Sequence, residues 1–182
     1  MAAKGQAFDV DYLVSQLKDA VEAESPSARV KSILEEEMKN PDRVAAGMPD
    51  FEEDEVVLFE DDQISIWFCR FRPGKTVPPH DHQMMATIGV YSGAERNKFF
   101  ENDPQGTIRE SSEVVVSTGE VLQIGPSAIH AVNCASTDPC CGIHVYLGRL
   151  TEVERSLFDI PNGQRMKFTD ENYQQLISQD KV

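Results

Sequence analysis

The chain of 182 residues is long enough for one domain with a sizeable hydrophobic core. An apolar fraction of 40% and a charged fraction of 26% are ordinary for a globular protein, which excludes the disordered and fibrous classes. The 17 basic and 31 acidic residues give a net charge of −14, which disfavours binding to nucleic-acid phosphates and to anionic membrane surfaces.

Neither a membrane span nor an export signal is expected. No apolar run approaches the length that crosses a bilayer, and the first ten residues, MAAKGQAFDV, lack the apolar core of a secretory signal. We therefore expect a cytoplasmic protein. Its four cysteines lack the paired CxxC spacing of a zinc site, so they are predicted to be buried or loop thiols.

Two helical patterns open the chain. Apolar residues recur at helical spacing in two stripes, Val10, Leu13, Leu17 and Val21, then Val30, Ile33, Leu34 and Met38. The break ESPSA separates the stripes, and Ser27 is the predicted N-cap of the second helix. We therefore assign residues 1–50 to an N-terminal helical extension, ended by NPDR and GMPD, that packs on the domain formed by residues 51–182.

A β-rich region follows from about residue 55, where short segments rich in β-branched and aromatic residues alternate with turns of Gly, Pro, Asn and Asp. The candidate strands are EVVLFE, ISIWFCRFR, TVPPH, ATIGVY, RNKFFE, TIRESSEVVV, EVLQIG, IHAVN and GIHVYLG. Many short strands at near-regular spacing predict an antiparallel sandwich or barrel. After Leu150 we expect SLFDI, a turn at PNG, RMKFT and a closing helix near DENYQQLIS, with Thr169 or Asp170 as its N-cap.

Two of the four histidines stand two residues apart, at His80 and His82, after a diproline. Side chains at i and i+2 of a strand point to the same face, so this spacing directs both imidazoles into one volume. Across the interior of a small barrel, His130 could complete a three-nitrogen face. Such a face suits iron, zinc, nickel or copper and leaves positions open for a substrate and a second reactant. The alternative is that these are surface or hydrogen-bonded core histidines.

These residues resemble the two sequence motifs of the cupin superfamily. The matching positions are Gly74, His80, His82 and Gly93 for the first motif, and Gly119, Pro126, His130 and Asn133 for the second. The resemblance implies a mainly β fold, the cupin double-stranded β-helix or jelly-roll barrel, with an N-terminal α-helical extension. Where the cupin pattern carries a carboxylate ligand, seven residues before Gly93, this chain has Ala86.

Three-histidine cupins of this kind are similar to the thiol dioxygenases, which use Fe(II) to add both atoms of O2 to a thiol. The stretch RPGKTVPPHDH resembles the segment that leads into their metal pair. The stretch GIHVY resembles their Ser-x-His-x-Tyr motif, with Gly142 in place of the serine. The tail resembles the bacterial 3-mercaptopropionate dioxygenases down to Arg155, Phe158 and Asp159, and the likeness spans roughly residues 55–173.

The resemblance implies one Fe(II) per chain, held by His80, His82 and His130, in an enzyme that oxidises a small thiol to its sulfinate. The thiol would be 3-mercaptopropionate or a cysteine-like compound. With the carboxylate ligand missing, the ion would keep its full charge and favour a thiolate. Tyr146 would be a catalytic residue that contacts the substrate, and His144, on the same strand face, would orient it. The alternative for His144 and Tyr146 is a hydrogen-bonded core pair.

Arginines are the candidates for binding a substrate carboxylate, because a guanidinium pairs with a carboxylate through two hydrogen bonds. The early segment FEEDEVVLFEDD contains neither the Arg nor the Gln that the family uses there. Arg155 is our candidate replacement, with a solvated surface charge as the alternative. Arg70 and Arg72 alternate on one strand face and could serve instead.

Two other functions stay open from the sequence. One is a cupin dioxygenase that cleaves a carbon–carbon bond, which the Ala86 site would also permit. The other is a cupin that binds a metal and a small molecule without turnover. The expected partners are a small thiol and O2, with no nucleic acid and no membrane, and a homodimer is the candidate assembly.

Overall fold

Three helices, eleven strands and a closing helix follow one another along the part of the chain that the computed structural model describes, residues 7–102 and 108–179. The helices are α1 (Val10–Ala20), α2 (Pro26–Met38), α3 (Pro41–Gly47) and α4 (Asp170–Gln179). The strands are β1 (Glu55–Glu60), β2 (Ser65–Phe71), β3 (Thr76–His80), β4 (Ala86–Ser92), β5 (Ala94–Asn102), β6 (Ile108–Ser117), β7 (Val121–Ile124), β8 (Ile129–Cys134), β9 (Cys140–Tyr146), β10 (Ser156–Asp159) and β11 (Gln164–Lys167). Each strand segment predicted from the sequence corresponds to one of them.

The strands form two antiparallel sheets, with the orders β1-β2-β9-β4-β7 and β11-β10-β3-β8-β5-β6. From β2 to β5, and again from β6 to β9, the chain crosses to the other sheet at every connection. Several neighbouring strands, such as β3 and β8, are therefore distant in sequence. This topology is the double-stranded β-helix, or cupin-type jelly roll, and the predicted fold class with its N-terminal helices is confirmed.

Alternate residues of the five-stranded sheet face two different cores, as the period of a strand requires. Ile143 and Val145 of β9, with Phe68 of β2, share one buried cluster with residues of α1, α2 and α3. Tyr146 of β9 and Trp67 of β2 belong to a second cluster inside the barrel. The helices therefore cover the outer face of this sheet, and the inward residues of β2 and β9 are left for a site. The division into domains at residue 50 stays a prediction.

Two glycines allow elements to approach or turn. At Gly89 of β4 a Cβ would stand 3.1 Å from Cε of Met38, so the missing side chain lets α2 lie close to the sheet. Gly93, between β4 and β5, has a φ of +73°, and a Cβ there would stand 2.9 Å from Cα of Cys140. Both the backbone conformation and the lack of space require glycine in this turn.

The N-termini of α2 and α3 differ from the prediction. Ser27 is not a cap, because α2 begins at Pro26 and Ser25 holds the N-cap position. Proline favours the first helical position because it lacks the N–H that would be unpaired there and its φ is already helical. The same arrangement of Asn40 and Pro41 begins α3, in the segment NPDR that was predicted to end a helix.

The closing helix α4 begins where the sequence placed it. The hydroxyl oxygen of Thr169 accepts a hydrogen bond from the N–H of Asn172 at 3.2 Å, so Thr169 is the cap. The helix packs against β3 and β10. None of the helices in the described ranges is long and apolar enough to cross a membrane.

The pairing of β3 with β8 brings two predicted ligands together. Pro78 and Pro79 have no N–H to donate to a neighbouring strand. The register is accordingly irregular between Val77 and His80. Pairing resumes at His80, which lies directly opposite His130.

Candidate metal centre

Three histidines converge inside the barrel. His80 ends β3, His82 follows in the next loop and His130 lies on β8. Each is at most 5% exposed, and one donor nitrogen from each lies within 4.8 Å of the others. Among the described residues, these three form a group with the geometry to hold a metal ion. The structure thus brings the three predicted ligands together, and their role as ligands stays a prediction.

Hydrogen bonds to the outer ring nitrogens orient two of these imidazoles. Nδ1 of His80 lies 2.8 Å from the carbonyl oxygen of Pro78, and Nδ1 of His130 lies 2.8 Å from Oδ1 of Asn97. Because carbonyl oxygens only accept, both Nδ1 atoms carry the hydrogen and each Nε2 keeps its lone pair. The Nε2 atoms of His80 and His82 are 3.1 Å apart. Metal-binding histidines are commonly held in this way.

All three imidazoles are held in the neutral form. Burial lowers the pKa of His80 to about 3, and the charge of Arg155 acts in the same direction. Burial also lowers the pKa of His82 and of His130 well below the usual value, and repulsion from the neighbouring imidazoles adds to this effect. Neutral imidazole is the form that binds metals.

The residues present fit a divalent metal. Nε2 of His130 and Nδ1 of His82 are buried without a hydrogen-bond partner among the described residues. A cation among the three histidines would give Nε2 of His130 the partner that a buried polar atom needs. Ala86 is fully buried, and no acidic side chain of the described ranges joins the group. The donor set is three neutral nitrogens, which iron, zinc, nickel and copper all accept.

A line of hydrogen bonds runs from His130 to Tyr146. Beyond its contact with His130, Asn97 donates from Nδ2 to Oε1 of Glu95 at 2.9 Å. Oε2 of the same carboxylate accepts a hydrogen bond from Nε2–H of His144 at 3.0 Å, and Nδ1 of His144 lies 3.3 Å from the Tyr146 hydroxyl. All five residues are buried. His144 and Tyr146 are therefore in contact as expected, and their catalytic roles stay predictions.

The charge of His144 decides what the Tyr146 hydroxyl can do. Burial opposes a charge on His144, but the Glu95 carboxylate against its Nε2–H outweighs burial and raises its pKa well above the usual value. An imidazolium donates from both nitrogens, so Nδ1–H of His144 donates to the Tyr146 oxygen. Burial raises the pKa of Tyr146, which keeps its own hydrogen. That hydrogen is free to bind a group inside the barrel.

A cavity of about 340 Å³ opens beside the three histidines. Its aromatic lining consists of Trp67, Phe71, Tyr146, Phe168 and Tyr173, and its charged lining of Glu55, Arg155 and Asp170. The ring centroid of Tyr146 lies 4.9 Å from that of His82. The volume and the mixture of aromatic and charged groups suit one small molecule.

Arg155 supplies the positive charge of this cavity. Its guanidinium carbon stands 3.7 Å from the ring centroid of Phe168, and the Phe168 ring lies 5.9 Å from that of His80. Burial lowers its pKa. Within the described ranges Arg155 forms no ion pair with an acidic side chain. It is thus a half-buried cation oriented by an aromatic ring, and it can pair with an anion that enters the cavity.

The other two candidate arginines lie outside the cavity. Arg70 donates from Nε to Oδ1 of Asp54 at 2.8 Å and from its terminal nitrogen to the backbone carbonyls of residues 51–53. Arg72 donates from Nε to both oxygens of Asp54. Both guanidinium groups are paired with the segment before β1, so the structure does not bring them into the cavity.

Four residues of the site were not identified from the sequence, namely Trp67, Glu95, Asn97 and Phe168. Glu95 and Asn97 stand two residues apart on β5, the same spacing that marked the histidine pair. This spacing, directly after a turn glycine, was the available signal for an inward polar pair. Phe168 carried no such signal, because its place depends on how the C-terminal tail returns to the barrel.

No protein-family model matches the chain. Similar solved structures include a double-stranded β-helix protein from Klebsiella pneumoniae, with 14% identity over 63% of this chain and 87% of that chain, and a TM-score of 0.48. A cupin superfamily protein from Desulfitobacterium hafniense has 17% identity, 57% and 86% coverage and a TM-score of 0.44. The oxalate decarboxylase of Bacillus subtilis, which has Mn(II) centres, has 16% identity, 63% and 31% coverage and a TM-score of 0.45.

These likenesses concern the fold and say nothing of the reaction. The fold assignment rests on the strand order of the chain itself. The chain is a cupin-type barrel, and its interior holds a three-histidine group that could bind a metal.

Proposed function

We propose that the protein is a thiol dioxygenase that holds Fe(II) at His80, His82 and His130. It would convert a small anionic thiol and O2 into the sulfinate, with both oxygen atoms ending on sulfur. The observation that carries this proposal is the neutral three-nitrogen donor set at a cavity of about 340 Å³. Three uncharged donors leave the charge of a divalent cation uncompensated, which favours a thiolate over a neutral ligand.

Bound Fe(II) would supply the electron transfer to O2 that side chains cannot provide. The side chains of the cavity bind and orient the substrate. Arg155 would pair with the carboxylate of the thiol, because it is a half-buried guanidinium without an acidic partner in the described chain. Tyr146, held by His144, would direct its hydroxyl hydrogen at the reacting group. Aromatic rings line the cavity beside both groups, and the displacement of water by a bound substrate would strengthen both interactions.

Oxygen uptake by the Fe(II)-loaded protein tests the proposal. The substrates are 3-mercaptopropionate, cysteine and cysteamine, and sulfinate is measured beside oxygen. We expect one sulfinate for each O2 with at least one carboxylated thiol. Uptake with a diketone alone would favour a carbon–carbon cleaving dioxygenase, and thiol binding without uptake would favour a binding protein; either result contradicts the proposal.

A further inference from the structure

Glu95 occupies the middle of the hydrogen-bond line from His130 to Tyr146. It is 1% exposed, and its two carboxylate oxygens accept hydrogen bonds from Asn97 and from His144. Burying a carboxylate costs free energy unless it is hydrogen-bonded or paired. Asn97 links the carboxylate to His130 of the histidine group, and His144 links it to Tyr146 at the cavity.

Gly142 leaves space for the His144 ring. A Cβ at Gly142 would stand 3.4 Å from Nε2 of His144, the nitrogen that Glu95 holds, and 3.1 Å from the carbonyl oxygen of Gly89. In the Ser-x-His-x-Tyr pattern a serine stands at this position, two residues before the histidine. In this chain the partner of that nitrogen comes from β5 instead.

We propose that Glu95 is a positioning residue that fixes the tautomer of His130 through Asn97 and the orientation of Tyr146 through His144. The proposal rests on the proposed function in one respect, that His130 is a metal ligand. One carboxylate on β5 would thus orient both His130 at the metal site and the hydroxyl group of Tyr146.

The carboxylate sets the direction of the hydrogen bonds from Asn97 and from His144, and through Asn97 that of the hydrogen bond from His130. Its oxygens only accept, so Asn97 turns Nδ2 toward Glu95 and Oδ1 toward His130. Oδ1 of Asn97 requires a hydrogen on Nδ1 of His130, which leaves Nε2 with its lone pair free to bind a metal. On the other side, Glu95 requires a hydrogen on Nε2 of His144, so that Nδ1 faces Tyr146.

Glu95→Gln would disturb this order with little change in volume. An amide offers one accepting oxygen and one donating nitrogen, so it cannot accept from both neighbours. If its nitrogen faces Asn97, that side chain turns over and the hydrogen of His130 moves to Nε2, where a metal would bind. If its nitrogen faces His144, Nε2 of His144 must give up its hydrogen, and the ring becomes a neutral imidazole with its hydrogen on Nδ1.

The experiment compares Glu95→Gln with Glu37→Gln as a matched control. Glu37 is also a buried carboxylate, 6% exposed, but it pairs with Arg43 in the helical layer. Zn(II) alone is titrated into each metal-free protein in competition with a chromophoric chelator. The hydrogen positions on the histidine rings of the metal-free proteins are followed by nitrogen-15 NMR, and circular dichroism checks the fold.

We expect Glu95→Gln to weaken Zn(II) binding roughly 10- to 100-fold and to change either the tautomer of His130 or the protonation of His144, with none of these changes in Glu37→Gln. Wild-type Zn(II) affinity together with wild-type tautomers would overturn the proposal. If Glu95→Gln does not fold, Asn97→Leu removes the link between Glu95 and His130 and keeps the hydrogen bond between Glu95 and His144. It should weaken Zn(II) binding and leave the His144 ring unchanged, and wild-type affinity in this variant would overturn the proposal.

These measurements do not depend on thiol oxidation. If the wild-type protein consumes no oxygen with any thiol, the proposed function fails. The ring tautomers of His130 and His144 then still decide the role of Glu95, because they are read in the metal-free protein.

Discussion

Tyr146 contributes one hydroxyl to the cavity, and Tyr146→Phe removes that group while keeping the ring that packs beside His82. We expect turnover to fall roughly 100-fold, as for the loss of a positioned proton donor. Iron content should stay at the wild-type level, because Tyr146 is not in the histidine group. Oxygen uptake and iron analysis on the same preparation check this, and equal losses of both would show that Tyr146 is only structural.

Arg155 should select for substrates that carry a carboxylate. Removing a charged hydrogen-bonding partner costs about 1.5–3 kcal/mol, so Arg155→Ala should raise KM for 3-mercaptopropionate roughly 10- to 100-fold. Cysteamine has no carboxylate, and its KM should not change. Arg109→Ala is the control, because Arg109 is exposed and pairs with Glu101 on the β5–β6 hairpin. Equal effects on both thiols would remove Arg155 from the substrate site.

Among single residues, the sequence predicts the candidate metal ligands better than the residues that form hydrogen bonds with their neighbours. His80 and His82 are two residues apart, so their shared face follows from the strand period. Glu95 could not be matched to His144 in the same way. That contact joins residues 49 positions apart, and it depends on strands β5 and β9 facing one another across the barrel interior.

The helical layer should contribute to stability and not to the site. Leu34 of α2 is fully buried in the cluster between the helices and the five-stranded sheet. Leu34→Ala should lower the free energy of unfolding by about 2–5 kcal/mol, through lost burial and the cavity left behind. Urea denaturation measures this, with Tyr12→Ala as the control because Tyr12 is 48% exposed.

Affinity for Zn(II) tests whether the packing of the helical layer affects the histidine group inside the barrel. The folded Leu34→Ala variant should bind Zn(II) as the wild type does, because the outward and inward faces of β9 belong to different clusters. A matching loss of affinity would contradict this separation.

Among the elements, the strands followed from the sequence and some helix boundaries did not. The strands were predictable because β-branched runs between turn residues repeat along the chain. Helix α3 has seven residues and one buried side chain, Val44, so it leaves no apolar stripe to recognise. At α2 the sequence offers two signals, a serine at position 27 that could cap the helix and a proline at position 26 that favours the first helical position. The helix begins at the proline.

For the whole molecule, the buried histidines predict a loss of stability in acid. The pKa of His80, His82 and His130 is lowered in the folded protein, whereas the unfolded chain takes up protons below the ordinary value of 6.5. The metal-free protein should therefore become less stable as the pH falls below 6.5. His82→Gln removes one such group and should reduce the difference in unfolding free energy between about pH 7.5 and pH 5 by about 2 kcal/mol. An unchanged difference would show that His82 is protonated in the folded state.

The topology of the molecule explains why the site exists at all. The two sheets place β3 beside β8, and residues 50 positions apart meet as His80 and His130. Strand spacing alone predicts a barrel or a sandwich and cannot choose the order of strands. It therefore allows His130 to face His80 and His82, but it does not fix the pairing of β3 with β8. The net charge of −14 concerns solubility and partners, and it carries no information on the strand order.

The most direct test of the account is X-ray diffraction from crystals of the Fe(II)-loaded protein, recorded on both sides of the iron absorption edge. We predict one anomalous peak per chain, in contact with nitrogen atoms of His80, His82 and His130 and without a carboxylate ligand. A metal-loaded crystal with no peak among these histidines, or with the His130 ring directed away from it, would contradict the central claim.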